Sequence, residues 1–241
     1  MAQLRFQLTD GRPKVAGCFG NREDLWTATP AEVLNCCDIA EIRLDLVMTG
    51  TTSEEASPWQ HLQDVPLLFT ARRQDEGGAR QLTAAERMAL LEPTLATAAW
   101  IDIEVASIHE MKPLLQELEI CRIPWLASFH DFKHLPDLAV LTEAARRALD
   151  AGASLFKAAV VLQQPSDLAR LAEFQLADHA LPVATMGMGP LATVSRLLCA
   201  QCGSVLNYGY LGQTATAPGQ WEAALLQQTI ARLVPWRPWR P

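Results

Sequence analysis

Short apolar stretches rich in β-branched residues alternate along this chain with longer Ala/Leu/Glu/Arg-rich segments whose apolar positions recur with helical period. The first kind predicts strands over 14–18, 40–47, 67–72, 100–105, 125–130, 155–162, 183–186 and 204–210. The second predicts helices over 30–37, 83–98, 108–118, 138–151, 165–177, 190–202 and 220–233, with a further candidate over 53–62. Thr29-Pro30, Thr83 with Glu86 three residues on, and Gln164-Pro165-Ser166-Asp167 carry helix-start chemistry. Gly152 and Gly203 stand just past alanine- or leucine-rich periods, where a helix ends in a left-handed residue.

Eight strands alternating with about eight helices in 241 residues predict an α/β chain folded as a (β/α)8 TIM barrel. A doubly wound open sheet is the rival, but no Gly-x-Gly-x-x-Gly follows the first strand. No Gly/Ser linker, charge block or repeat divides the chain. One barrel domain is therefore expected over 1–241, with a lead-in over 1–13 and a Pro/Trp/Arg-rich tail over 234–241. That leaves almost no length for a second module, and a stand-alone protein is expected.

Strand side chains alternate faces, so parity tells which way each charge points. Glu41, Arg43 and Asp45 share one face, with aliphatics on the other. Thr70 and Arg72 oppose Phe69 and Ala71, Asp102 and Glu104 oppose Ile101, Ile103 and Val105, Ser128 and His130 oppose Phe129, and Lys157 opposes Phe156 and Ala158. In a barrel the apolar face packs beneath the helices, which turns the polar set toward the axis. An unpaired charge there costs several kcal/mol, so these groups must pair with one another or with a ligand. Most sit late in their strands and are expected at the C-terminal mouth.

The composition removes other classes. At 49% hydrophobic the chain is not a disordered one, and no apolar run reaches the eighteen or so residues that span a bilayer. The formal charge of −7 argues against nucleic acid, which needs a basic stripe. It leaves room for an anionic small molecule held by a few local arginines. The N-terminus has no basic region followed by a long apolar core, so a cytoplasmic protein is expected. Six cysteines scattered through a chain of this size read as free thiols, and Cys199-Ala-Gln-Cys202 lacks the second pair or histidine of a zinc site. No metal site is expected.

A single strand-end lysine is usually a snorkelling surface residue, and a single histidine usually a satisfied structural one. What changes the reading is the convergence of several strands on one polar cluster holding both. Nearby arginines favour a lysine's neutral amine, the form that attacks a carbonyl to make a Schiff base. An imidazole beside it moves protons at neutral pH.

The chain resembles the type I 3-dehydroquinate dehydratase family from about residue 14 to 220. The resemblance rests on Glu41-Ile-Arg-Leu-Asp45, Leu68-Phe-Thr-Ala-Arg-Arg-Gln-Asp-Glu-Gly-Gly78, Ser128-Phe-His-Asp-Phe132, Gly152-Ala-Ser-Leu-Phe-Lys-Ala-Ala159, Thr185-Met-Gly-Met-Gly189, Ser195-Arg196 and Ala217-Pro-Gly-Gln220, in that order. It implies Lys157 as the Schiff-base lysine, His130 as general acid and base, and Glu76 as the carboxylate supporting the histidine. It implies Glu41, Arg43 and Arg72 around the substrate hydroxyls, Arg196 on the substrate carboxylate, and Thr216 and Gln220 in a loop closing over 3-dehydroquinate, so that Arg43, Arg72, Lys157 and Arg196 are expected together at the mouth to receive an anionic acid. Syn loss of water to give 3-dehydroshikimate in the shikimate pathway, no metal or organic cofactor, and a homodimer are implied as well.

Departures from the family pattern fall around the lid. Thr216 stands where serine is usual, the run Gly212-Gln-Thr-Ala-Thr216 is about one residue long, Val15-Ala-Gly-Cys-Phe19 lacks the serine often found there, and Arg73 adds a cation beside Arg72. Two other readings stay open. One is a lysine-dependent aldolase binding phosphate at Gly187-Met-Gly189 and Gly209-Tyr-Leu-Gly212. The other is a non-catalytic metabolite-binding barrel.

Overall fold

The computed structural model describes residues 6–8, 11–48, 57–217 and 219–237. Residues 53–56 of the helix expected over 53–62, much of the lead-in and the end of the tail lie outside these. Eight parallel strands follow the chain: β1 (Lys14–Phe19), β2 (Ile39–Arg43), β3 (Leu67–Thr70), β4 (Trp100–Glu104), β5 (Trp125–Asp131), β6 (Leu155–Val161), β7 (Val183–Met188) and β8 (Leu206–Leu211). Each pairs with its sequence neighbour, and β8 returns to pair with β1 from Lys14↔Leu206 to Phe19↔Leu211. The last seam, between β7 and β8, is held differently: Val205 N donates to Val183 O at 3.2 Å, and Thr185 N donates to Ser204 Oγ at 3.2 Å. The result is the α/β barrel expected from the sequence.

Helices α1 (Arg22–Thr27), α2 (Pro30–Cys36), α3 (Leu44–Val47), α4 (Ala84–Leu91), α5 (Lys112–Cys121), α6 (Leu138–Asp150), α7 (Pro165–Leu176), α8 (Ala192–Gln201) and α9 (Ala223–Ile230) carry the chain between and after the strands. Both Thr29 and Thr83 form the full capping box with Glu32 and Glu86. Gly152 and Gly203 adopt φ of +82° and +100° just beyond α6 and α8, the left-handed geometry their positions require.

Several boundaries differ from those read in the sequence. The strand over 40–47 stops at Arg43, and Leu44–Val47 winds into one helical turn that buries Leu44, Asp45 and Val47. Pro93 cannot donate a helical hydrogen bond, so α4 ends at Leu91 and a 3₁₀ turn follows over Glu92–Thr94. Pro113 belongs in a first turn, and α5 accordingly starts at Lys112 rather than 108. Trp221–Glu222 pairs with Gly209 and Tyr210 as β9, delaying α9 to Ala223. Helix α1 has no apolar period that would predict it: it is six residues long, capped by Asn21, and buries only Leu25.

The strand parity holds. Ile42, Phe69, Ile101, Ile103, Phe156 and Ala158 face outward into the core beneath the helices. The inward face is built in layers. Ile39, Leu68, Trp100, Leu126, Leu155 and Leu206 form an apolar floor, onto which Phe6 and Leu8 of the lead-in pack, with Trp100 Nε1 donating to Phe6 O at 3.2 Å. One step further along the same strands come Glu41, Thr70, Asp102, Ser128, Lys157 and Tyr208, all buried. At the far end of the chain Trp236 N donates to Gln201 O at 2.8 Å and Arg237 Nη1 to Leu176 O at 2.5 Å, so the start of the tail lies across the ends of α7 and α8.

Candidate active site

Glu41, Arg43, Arg72, Glu76, His130, Lys157, Arg196, Thr216 and Gln220 all line one cavity at the C-terminal mouth of the barrel. Arg72 is its organising cation. It leaves the end of β3 with its backbone N–H donating to Asp45 Oδ1 at 3.2 Å. Its guanidinium donates to Asp102 Oδ2 at 2.7 Å, Glu104 Oε1 at 3.0 Å and Ser128 Oγ at 2.6 Å. Ser128 Oγ in turn donates to Asp102 Oδ1 at 2.6 Å, and Lys157 Nζ to Asp102 Oδ2 at 3.1 Å. Burial on its own would raise the Asp102 carboxyl, but the charges of Arg72 and Lys157 outweigh it and hold the group well below the usual carboxylate range. Lys157 is thus fixed by an ion pair from below, with Nζ 4.1 Å from the centre of the Tyr208 ring.

His130 ends up on β5 beside the 3₁₀ turn Gln74–Glu76. Its backbone N–H donates to Glu76 Oε2 at 3.0 Å, and its Nδ1 lies 2.9 Å from the same oxygen. The turn ends at Gly77, whose φ of +89° suits glycine and whose missing Cβ leaves space for Phe132; that ring stacks on His130 with centroids 6.4 Å apart. Burial, with Arg72 and Lys157 nearby, lowers His130 well below the ordinary imidazole value, so the ring is neutral at pH 7. Burial raises Glu76 to about 8 even though the Arg72 charge opposes it. The two groups face each other across one hydrogen-bond contact and titrate as a pair.

The expectation that Arg43, Arg72, Lys157 and Arg196 together await an anion needs correction. Arg43 is held by both Asp45 oxygens, at 2.9 and 2.8 Å, and Arg72 and Lys157 have carboxylate partners. Arg196 differs. Its guanidinium is buried, Nη1 donates to the backbone carbonyl of Tyr208 at 3.0 Å, Nε has no partner, and no carboxylate neutralises it among the described residues. Burial without a counter-ion pulls it down to about 10. A buried, uncompensated cation facing a cavity is a site for an anion.

The lid departures also find their places. Thr216 N and Oγ1 both donate to Gln220 Oε1 at 2.8 Å, fixing the Gln220 amide by its oxygen. The methyl group that threonine adds packs over Gly20, where a Cβ would come within 2.6 Å of it. The longer run is pinned at Gln213, whose N–H donates to Asp24 Oδ2 of α1 at 3.0 Å. Cys18, in the strand that lacks the family's usual serine, is a buried thiol that donates to Glu41 Oε2, while Thr70 Oγ1 donates to Glu41 Oε1 at 2.7 Å.

Sequence reading missed Cys18 and Tyr208 as cavity residues. Both sit in strands and alternate in register with the inward set, but each reads as an ordinary core residue. Among the described residues no group of three or more His, Cys, Asp or Glu side chains is arranged to hold a metal ion, and no helix is long and apolar enough to cross a membrane.

Known proteins resemble this chain over most of its length. The family described as Type I 3-dehydroquinase matches residues 23–233. The 3-dehydroquinate dehydratase of Methanococcoides burtonii is 30% identical over 223 residues, covering 91% of this chain and 94% of that protein. That of Bacillus licheniformis is 33% identical over 178 residues, covering 70% and 69%. Among solved structures, the type I 3-dehydroquinate dehydratase from Clostridium difficile with covalently modified comenic acid superposes with a TM-score of 0.76 at 25% identity, covering 95% of this chain and 97% of that one. The chain belongs to the type I 3-dehydroquinase family.

Proposed function

We infer that this chain converts 3-dehydroquinate to 3-dehydroshikimate and water through an imine on Lys157, as a step of the shikimate pathway that leads to aromatic amino acids. The observation that carries this reading is the confinement of a buried lysine, a neutral histidine and one uncompensated arginine to a single cavity.

The roles follow from what each group has free. Arg196 receives the ring carboxylate and places the C3 ketone over Lys157. The Lys157 amine, its proton passed to the neutral His130 imidazole, adds to C3; the carbinolamine takes that proton back from His130, loses its oxygen as water and becomes an iminium. That cation draws electrons from C2, and His130 removes a C2 proton to give the enamine. The enamine expels the C1 hydroxyl, which leaves as water with a proton from the same imidazole, so both events occur on one face. Water then hydrolyses the imine, releasing the product and regenerating the amine. Glu76 holds His130 by Nδ1 and leaves Nε2 for the substrate. Glu41, Arg43 and Arg72 line the hydroxyl edge, and Thr216 with Gln220 closes the loop above.

An aldolase acting on phosphosugars fits less well. A phosphate cradle after β7 and β8 needs free backbone N–H groups, whereas Gly187 N donates to Ser195 Oγ at 2.9 Å and Gln213 N to the Asp24 carboxylate at 3.0 Å. A cytoplasmic homodimer completes the proposal, checked by sedimentation of the purified protein. The test of the activity is direct. Addition of 3-dehydroquinate to the enzyme produces the ultraviolet absorbance of a conjugated enone, and failure of the intact chain to do so overturns the reading.

A further inference from the structure

The polar side chains deep in the mouth are nearly all satisfied by one another. Asp102, Ser128, Glu41, Thr70 and Arg72 each make at least one buried hydrogen bond to another member of the cluster or its border. The hydroxyl of Tyr208 is an exception. It is fully buried and has no hydrogen-bond partner, although its residue lines the cavity and its ring carries the Lys157 ammonium on one face. The side chain starts from β8, and the charges of Glu41, Asp102 and Arg72 all act on its hydroxyl. Burial, reinforced by the two carboxylates, raises the phenol well above its ordinary value, so it is a neutral O–H donor.

A buried hydroxyl without a partner is costly, and a site built around one is completed by a ligand oxygen that accepts from it. We propose that the Tyr208 hydroxyl is a specificity-determining donor to a ring hydroxyl of the substrate, on the edge bounded by Glu41 and Arg72. The inference rests on the reading of the substrate as 3-dehydroquinate. The ring of Tyr208 would serve Lys157 equally well as phenylalanine; the hydroxyl has no work to do in the ligand-free protein. Its contribution is therefore to recognition, in the way that a site built to hydrogen-bond a substrate hydroxyl rejects an analogue lacking it.

Tyr208→Phe removes one oxygen and leaves the aromatic platform beneath Lys157. The expected result is a KM for 3-dehydroquinate raised about 5- to 100-fold, with kcat within about threefold and thermal stability kept or increased. Two deoxy analogues of 3-dehydroquinate, each lacking one of the two ring hydroxyls that the reaction retains, then locate the contact. For one analogue the wild type and Tyr208→Phe should bind alike, because the interaction is already gone; for the other the difference between the two proteins should persist. A KM unchanged by Tyr208→Phe, or a loss equal for every analogue, overturns the proposal. Borohydride trapping of the imine with 3-dehydroquinate separates this from the functional reading. An adduct in both proteins with equal affinities refutes only the role of Tyr208, whereas no adduct in the wild type refutes the reading on which it rests.

Discussion

The floor and the mouth of this barrel are built from the same faces of the same strands, one alternation apart. Ile39 and Glu41 share β2, Leu68 and Thr70 share β3, Trp100 and Asp102 share β4, Leu126 and Ser128 share β5, Leu155 and Lys157 share β6, and Leu206 and Tyr208 share β8. In each pair the first is apolar and the second polar. Two residues of strand rise only about 6.6 Å, so the boundary between a dry core and a charged cluster is crossed within one layer of side chains. The floor gains its stability by excluding water. Burial makes the mouth expensive, and its charges are tolerable because Arg72, Asp102, Glu104 and Lys157 compensate one another. Two groups at the mouth are left over, the Nε of the buried Arg196 on α8 and the hydroxyl of Tyr208, and under the proposed reading a ligand supplies an anion to the first and an acceptor to the second.

That contrast can be broken from either side. The largest effect is expected at the mouth, from Lys157→Ala. Without the amine no imine forms, and turnover of 3-dehydroquinate should fall by about 10⁴-fold or more, with the fold retained because Asp102 keeps Arg72 and Ser128. Next comes His130→Ala, for which dehydration should slow by about 10²- to 10⁴-fold while reducible imine still forms; full activity in this variant contradicts its role. At the floor, Leu126→Ala should reverse the pattern. It should cost about 2–5 kcal/mol in urea unfolding and leave kcat of the folded protein within about threefold; a collapse of kcat at constant stability would mean that the two layers are not separable.

The smallest effect is a displacement on the pH axis. His130 is depressed, so it stays neutral and able to act as a base down through pH 6.5, and the acid limb of kcat/KM should lie below that value. Glu76 is raised to about 8; the His130–Glu76 pair keeps its extra proton below that pH and loses it above. The alkaline limb should accordingly fall near 8 and be displaced in Glu76→Gln, whose amide does not ionise. An unchanged limb in that variant assigns it to another group.

Much of this was legible in the sequence because strand parity is a two-residue rule and the charged residues obey it. Lys157, His130, Asp102 and Glu104 are placed by parity alone. Glu76, Arg196, Thr216 and Gln220 lie outside strands, where parity is silent, and it was family motifs that picked them out. Tyr208 escaped because Leu206, Tyr208 and Tyr210 read as a plain apolar strand; nothing in the residue type reveals that one phenol is left without a partner. The closed Arg43–Asp45 pair escaped for a different reason. Asp45 grips the Arg43 guanidinium, and also accepts the backbone N–H of Arg72, where the chain leaves β2 in a helical turn that alternation does not predict.

The central claim is that Lys157 is the nucleophile of a dehydratase, and the most direct measurement is to trap it. The enzyme is incubated with 3-dehydroquinate and sodium borohydride, its intact mass is measured, and the adduct is mapped by peptide fragmentation. A single reduced adduct on Lys157, absent from Lys157→Ala together with the loss of turnover, is the predicted result. No adduct, an adduct on another lysine, or water loss that survives Lys157→Ala would contradict it.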